Sequence, residues 1–148
     1  MKWYIASRLR HKNSVEKILS ILKNSGEEVV FDWTQVQLFK PYVNNSLKCS
    51  QIALKISKSL QDVDVFVLLS DESGTDMFIE LGMILNEWLN NSNIKIYAIG
   101  VHNTSSLLHF HPAIKRIDSL EKVFKEECIE AYESNKEELV SICKDIDI

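Results

Sequence analysis

The residue best suited to chemistry is Glu80, set between Phe78, Ile79 and Leu81 in the stretch Ser70 to Leu85. A charge among apolar neighbours is costly unless it is paired or used. A carboxylate so held can stabilise a developing cation, or attack it and form a covalent intermediate. The plainer reading of Glu80 is a first-turn helix acid favoured by the helix dipole. Two aspartates can serve as its proton-donating partner: Asp64, inside the apolar run Val63 to Leu69, and Asp71, just beyond that run. Burial would raise the pKa of Asp64 and suit it to donate a proton. It is equally readable as a structural acid satisfied by backbone N–H groups. Tyr4 can hold the glutamate by a hydrogen bond, or is simply a tyrosine at a sheet end.

Other residue types point to ligand contacts. Arg8, Arg10, His11 and Lys12 form a cationic cluster between the first strand and the first helix. A phosphate would meet helix-end N–H groups there, although a basic run is also an ordinary solvated face. Trp33 or Phe39 can stack on an aromatic base, and Trp33 also fits a plain core role. His109 and His111 are two apart, but no acidic or cysteine partner lies nearby, so polar contacts at a pocket rim or subunit edge are expected and no metal. The four glycines are scattered, with neither a dinucleotide fingerprint nor a phosphate-binding lysine loop, so no cofactor is expected.

These residues need elements to position them. Lys2 to Ala6 reads as a short apolar strand. Asn13 and Glu16 have capping-box spacing. Val15, Ile18, Leu19 and Leu22 then lie on one helical face, and Gly26 suits the stop. Glu28 to Phe31 reads as a second strand, and the β-α-β order implies parallel pairing. Residues 32–46 lack a period, as expected of a binding loop. Leu47 to Leu60 gives a helix with Ile52, Ala53, Ile56 and Leu60 inward. Val63 to Leu69, apolar on both faces except for Asp64, should be the central strand. A third helix carries Phe78, Leu81, Leu85 and Trp88. A strand at Ile94 to Ile99 and an edge strand at Ile114 to Ile117 follow. Ser119 opens a helix, with a further start at Ser134 and Glu137. The expected architecture is a single α/β domain over residues 1–148. It is a doubly wound, flavodoxin- or Rossmann-like three-layer sandwich with a parallel five-stranded sheet in order 2-1-3-4-5. In such sheets the ligand crevice lies beyond the carboxyl ends of the strands, which is where the Ser70 to Leu85 stretch begins.

Composition narrows the classes. The chain has 148 residues, 45% hydrophobic and 26% charged, enough for one domain with a substantial core. A net charge of −4 argues against a nucleic-acid polymer as partner, while leaving room for one local basic pocket. No apolar run approaches the ~20 residues of a membrane span, and the start is interrupted by Arg8 and Arg10, unlike a signal peptide. Cys49, Cys128 and Cys143 are odd in number and lack metal spacing, as expected of reduced thiols in a cytoplasmic protein.

Five separate pieces together resemble the nucleoside 2-deoxyribosyltransferase family, including its nucleoside 5′-monophosphate N-glycosidase relatives. They are Tyr4-Ile5-Ala6-Ser7, Gly26 through to Asp32-Trp33-Thr34, and the strand Val63 to Leu69 with Asp64. The fourth is Ser73-Gly74-Thr75 followed by Glu80-Leu81-Gly82, and the fifth is Phe110-His111-Pro112 before Ile114. The resemblance implies that Glu80 is the nucleophile and Tyr4 its neighbour at the mouth of the site. It implies an aspartate acid at Asp64 or Asp71. It implies substrate contacts from Ser7, Arg8, Arg10, Trp33, Ser73, Gly74, Thr75 and His111, with Asn103 as candidate for the family's downstream asparagine. The Gly-Thr pair lies further from the glutamate than in many transferases of the family, a spacing nearer the hydrolase branch.

The expected function is cleavage of the N-glycosidic bond of a (deoxy)nucleoside or nucleoside 5′-monophosphate, with transfer of the deoxyribosyl group to another base or to water. Such a reaction passes through an oxocarbenium-like state that a carboxylate can stabilise. The alternative is a non-catalytic nucleotide-sensing module on the same fold. An electron carrier is disfavoured by the lack of a Ser/Thr-rich first loop. The family lends residues between subunits, and the helix bearing Trp88 and Leu89 is apolar on two faces, so a homodimer or larger homo-oligomer is expected.

Overall fold

Successive side chains of a strand turn to opposite faces, and in β1 (Lys2–Ala6) that alternation decides what each layer contains. Trp3 and Ile5 join one apolar cluster with Val65, Val67 and Leu69 of β3 (Val65–Leu69). Tyr4 and Ala6 join the other, with Phe66 and Leu68. A computed structural model describes residues 1–37 and 40–146. The remaining elements are α1 (Lys12–Asn24), β2 (Glu28–Val29), α2 (Ser46–Leu60), α3 (Thr75–Asn90), β4 (Lys95–Ile99), β5 (Ile114–Ile117), α4 (Leu120–Glu127) and α5 (Ile129–Asp145).

The strands form one parallel sheet in the order β2-β1-β3-β4-β5. This is the expected doubly wound arrangement, with fully buried β3 at its centre. Helices α1, α4 and α5 supply Leu19, Phe124 and Leu139 to the first cluster. Helices α2 and α3 cover the second face through Leu60, Met77, Leu81 and Ile84.

Several local expectations are corrected. The capping box of Asn13 and Glu16 does not form, because a 3-10 turn at Leu9–His11 already starts the chain into α1. Glu16 instead accepts a hydrogen bond from Gln35 Nε2 at 3.0 Å. Strand β2 stops at Val29, although Val30 still donates from its backbone to the Trp3 carbonyl. The expected restart at Ser134 is a kink within α5 at Asn135, whose side chain donates to the Ala131 carbonyl.

The correction that matters for the site concerns α2. Of its expected inward residues only Leu60 is buried; Ile52 and Ile56 are half-buried and Ala53 is exposed. All three line an opening between α2 and α3, with Ile56 also touching the core of that face. Among the described residues no helix is long and apolar enough to cross a membrane. All three cysteines are free thiols.

Candidate functional site

Helix α3 begins at the carboxyl end of β3, where Gly74 at φ 140° turns the chain into the helix. Glu80 is therefore in the second turn, and the first-turn acid is Asp76. Since the dipole's effect fades within the first turn, it does not account for Glu80. The Glu80 side chain is 9% exposed and forms no ion pair among the described residues. It lines a cavity of about 330 Å³ between α2 and α3. Ile52, Ile56, Ile79 and Met83 make its walls apolar, and Asp76 is its other carboxylate. Among the described residues no lysine, arginine or histidine contributes to the lining. Burial lifts the pKa of Glu80 to about 7, with Asp76 pushing the same way and Tyr4 opposing it.

Tyr4 reaches this region because the strand period points it towards α3, and its ring stacks on Phe66 at 5.7 Å, one residue across in register. It is fully buried, and its hydroxyl has no hydrogen-bond partner of ordinary geometry. The hydroxyl is nevertheless near enough to Glu80 for the two to shift one another. Burial first, and then the glutamate's charge, hold the Tyr4 phenol far above its usual range. Two further buried hydroxyls without partners, Ser7 Oγ and Ser70 Oγ, follow the carboxyl ends of β1 and β3. The strand order reverses between those two strands, the place where open α/β sheets take ligands.

Asp71 is 1% exposed and does not act as a spare acid. Arg8 Nη1 lies 3.0 Å from its Oδ1, Arg10 Nη2 lies 2.7 Å from its Oδ2, and His11 Nε2 lies 3.1 Å from the same oxygen. Burial alone would raise its pKa, but contacts with His11 and Arg8 and the charge of Arg10 outweigh that, so it is lowered. A carboxylate kept ionised with both oxygens occupied is no proton donor, and this role is withdrawn from Asp71. The basic cluster is correspondingly part spent, although two guanidinium groups against one carboxylate leave an excess of positive charge. Arg8 also packs beside Gly74, where a Cβ would come within 3.0 Å of its Cγ and 2.9 Å of Met77 Sδ. Ser73 and Thr75 flank that turn and are exposed.

Four other expected site residues are not brought to Glu80. Asp64 precedes β3 at its amino end, exposed, and accepts from the Lys2 backbone N–H at 2.8 Å. Six residues of strand separate it from Ser70, about 20 Å, so it is neither buried nor within reach of the cavity. Trp33 packs against the cluster on the opposite face and donates its indole N–H to the Ile5 carbonyl at 2.8 Å, which leaves it no face for a base at this cavity. Asn103 donates to the Ile117 carbonyl at 3.0 Å and ties the β4–β5 loop to the edge strand. His111 meets the Trp88 ring edge-on at 5.6 Å, about 12 Å further along α3 than Glu80. Phe39 lies outside the described residues.

His109 is not at a rim but fully buried, 6.0 Å from the Phe78 ring. Its Nδ1 accepts the Ser106 backbone N–H, and Nε2 is left without a partner. Burial, reinforced by Arg116, lowers its pKa and keeps the ring neutral.

Two members of the site escaped the sequence reading. Ser70 opens the Ser70 to Leu85 stretch, but nothing in its spacing gives its hydroxyl a role. Asp76 was hidden because its relation to Glu80 depends on where the helix starts. The i, i+4 spacing of Asp76 and Glu80 was available as a signal, since such residues share a helix face. The Glu80 carboxylate in an apolar cavity, next to the buried Tyr4 hydroxyl, can hold a cationic or electron-poor centre or bond to one. No protein-family model, curated protein or solved structure matches this chain.

Proposed function

We propose that this protein cleaves the N-glycosidic bond of a (deoxy)nucleoside or nucleoside 5′-monophosphate, with Glu80 as nucleophile, and passes the deoxyribosyl group to another base or to water. The observation that carries this reading is the state of Glu80: nine-tenths buried, without an ion pair, and lining an apolar cavity beside the Tyr4 hydroxyl. A structural acid would be expected to have its oxygens satisfied. Apolar walls of Ile52, Ile56, Ile79 and Met83 suit the faces of a nucleobase. As the C1′–N bond lengthens, positive charge gathers at C1′, and the Glu80 carboxylate is the group set to meet it. The Tyr4 hydroxyl would then orient the attacking oxygen, a bond that tightens when substrate is bound.

Ser7 and Ser70 are assigned to hydroxyl or phosphate oxygens of the sugar, since their own hydroxyls lack partners. The N-terminus of α3 has no side-chain cap, so the N–H groups after Ser73, at Gly74 and Thr75, are available to a 5′-phosphate alongside Arg8. The reaction needs no cofactor. Leu47, Leu54 and Ile79 are 74%, 55% and 51% exposed on α2 and α3, and a homodimer or larger assembly in a cytoplasmic setting belongs to the same reading.

The test is to incubate the protein with each deoxynucleoside and its 5′-monophosphate and to chromatograph for free base. Release of base, or exchange when a second base is added, supports hydrolysis or transfer respectively. Binding detected by thermal shift with no base released at any pH would support the nucleotide-sensing alternative instead.

A further inference from the structure

We propose that Asp76 is the acid–base partner of Glu80, a role that rests on the proposed glycosidic cleavage. Asp76 and Glu80 are four residues apart on α3, which places them on one face a single turn apart. Both line the same cavity, and among the described residues no other carboxylate does. The two aspartates that sequence favours are excluded by position and by pairing. Asp64 is at the amino end of the sheet, and Asp71 is held by Arg8, Arg10 and His11. Asp76 forms no ion pair among the described residues and is exposed, so it exchanges protons with solvent while Glu80 is closed off.

The chemistry of the pair follows from its setting. The charge of Asp76, in the same cavity, adds to burial in favouring a proton on Glu80 in the free protein. Reaction starts from the other arrangement, with Glu80 ionised and the proton on Asp76. A Glu80 oxygen then forms a bond to C1′ as the C1′–N bond breaks. The bonding pair leaves with the base nitrogen, and the Asp76 proton is transferred to the base. The product is a glycosyl ester on Glu80, an ionised Asp76 and a neutral free base. In the second step Asp76 takes a proton from water, or from the N–H of an incoming base. The oxygen or nitrogen so freed bonds to C1′, and the ester electron pair returns to Glu80. Atoms and charge balance without any further reactant.

Asp76→Asn tests this, because the amide keeps the shape and loses the transferable proton. On a natural deoxynucleoside, release of base should fall ~10²–10⁴-fold, the usual contribution of a general acid–base. A 2-deoxyriboside of 4-nitrophenol has a leaving group that departs without protonation. With it, the first-turnover burst of nitrophenolate should slow by less than about tenfold, and steady-state turnover should slow far more. Added azide, which attacks C1′ without giving up a proton, should restore that turnover. The pH limb attributed to Glu80 should also move to lower pH once the neighbouring charge is gone. A circular-dichroism spectrum and melting curve matching wild type would exclude misfolding as the cause.

Equal losses on the two substrates, or no loss on the natural one, would overturn the assignment of Asp76 and leave the proposed function standing. A wild-type protein that releases neither base nor nitrophenolate overturns both.

Discussion

Tyr4 and Glu80 face one another at the carboxyl end of the sheet, both buried, without closing a hydrogen bond of ordinary geometry. The pair is poised and unsatisfied at once. Tyr4 acts on the glutamate in one direction only, lowering its pKa against the effect of burial. Tyr4→Phe should therefore raise the Glu80 pKa above about 7. If kcat/KM for base release depends on ionised Glu80, it should rise through about pH 7 in the wild type and through a higher pH in the variant. A pH–rate profile of both proteins checks this. The Phe66 stack remains in the variant, which should keep the wild-type fold, with loss of stability confined to pH above about 7, where the hydroxyl helps Glu80 carry its charge.

Glu80 should also leave its mark on folding. Its pKa is raised from 4.5 to about 7 in the folded chain. Below pH 4.5 both states are protonated there and no penalty exists. Between pH 4.5 and 7 the unfolded chain has lost the proton while the folded chain keeps it, so stability declines as pH rises. Above pH 7 the loss is complete, on the order of 3 kcal/mol. Glu80→Gln should abolish this dependence. In urea denaturation at pH 5 and pH 8, the variant should therefore gain stability relative to wild type at the higher pH.

Much of the framework was legible because it rests on short periods. The alternation in β1 and the apolar run of β3 fix the faces of the sheet, and the β-α-β rhythm fixes its order. The site was legible only in part. Glu80 stood out as a charge among apolar neighbours, a purely local signal. Asp64 misled for the opposite reason, since an apolar run does not say where its ladder begins. The backbone N–H of Asp64 meets the Lys2 carbonyl at the very edge of the sheet, and its side chain stays in water. The occupation of Asp71 depends on partners 60 or more residues away, and the indole bond of Trp33 on Ile5, 28 residues away. Neither is encoded in spacing. The cavity itself arises because Ile52, Ala53 and Ile56 of α2 border an opening towards α3, although their apolar pattern reads as an ordinary inward face.

The burial of Asp71 among cations predicts a structural variant, not a chemical one. Asp71→Asn removes the negative charge that Arg8, Arg10 and His11 share and turns one of its two accepting oxygens into an amide donor. Stability should fall by roughly 1.5–3 kcal/mol, towards the lower figure because both guanidinium groups are partly in solvent. Its folded-state pKa is lowered, so the stabilisation is present above about pH 3.8 and is lost in the wild type as pH falls through the folded value. The difference between wild type and Asp71→Asn in chemical denaturation should thus shrink in strong acid. Single-turnover bond cleavage should persist in the variant, with its main defect in substrate affinity, which separate measurement of kcat and KM distinguishes.

The role of Glu80 as nucleophile is the claim on which the functional reading turns. Glu80→Ala should keep the fold, because Glu80 makes no ion pair and the first turn of α3, where the dipole acts, is untouched. Activity should fall by several orders of magnitude, since the covalent route loses the atom that bonds to C1′. A 2-fluoro-substituted arabinonucleoside adds a direct observation. Fluorine draws electron density from the sugar and destabilises the oxocarbenium-like state through which the intermediate both forms and breaks down. The glycosyl ester should then persist long enough for proteolysis and mass spectrometry. The added mass should lie on the peptide that contains Glu80 in wild type and in Asp76→Asn, and be absent from Glu80→Ala. A label on another residue would move the nucleophile elsewhere. Release of base by Glu80→Ala at near wild-type rate would show that the reaction does not pass through this carboxylate at all.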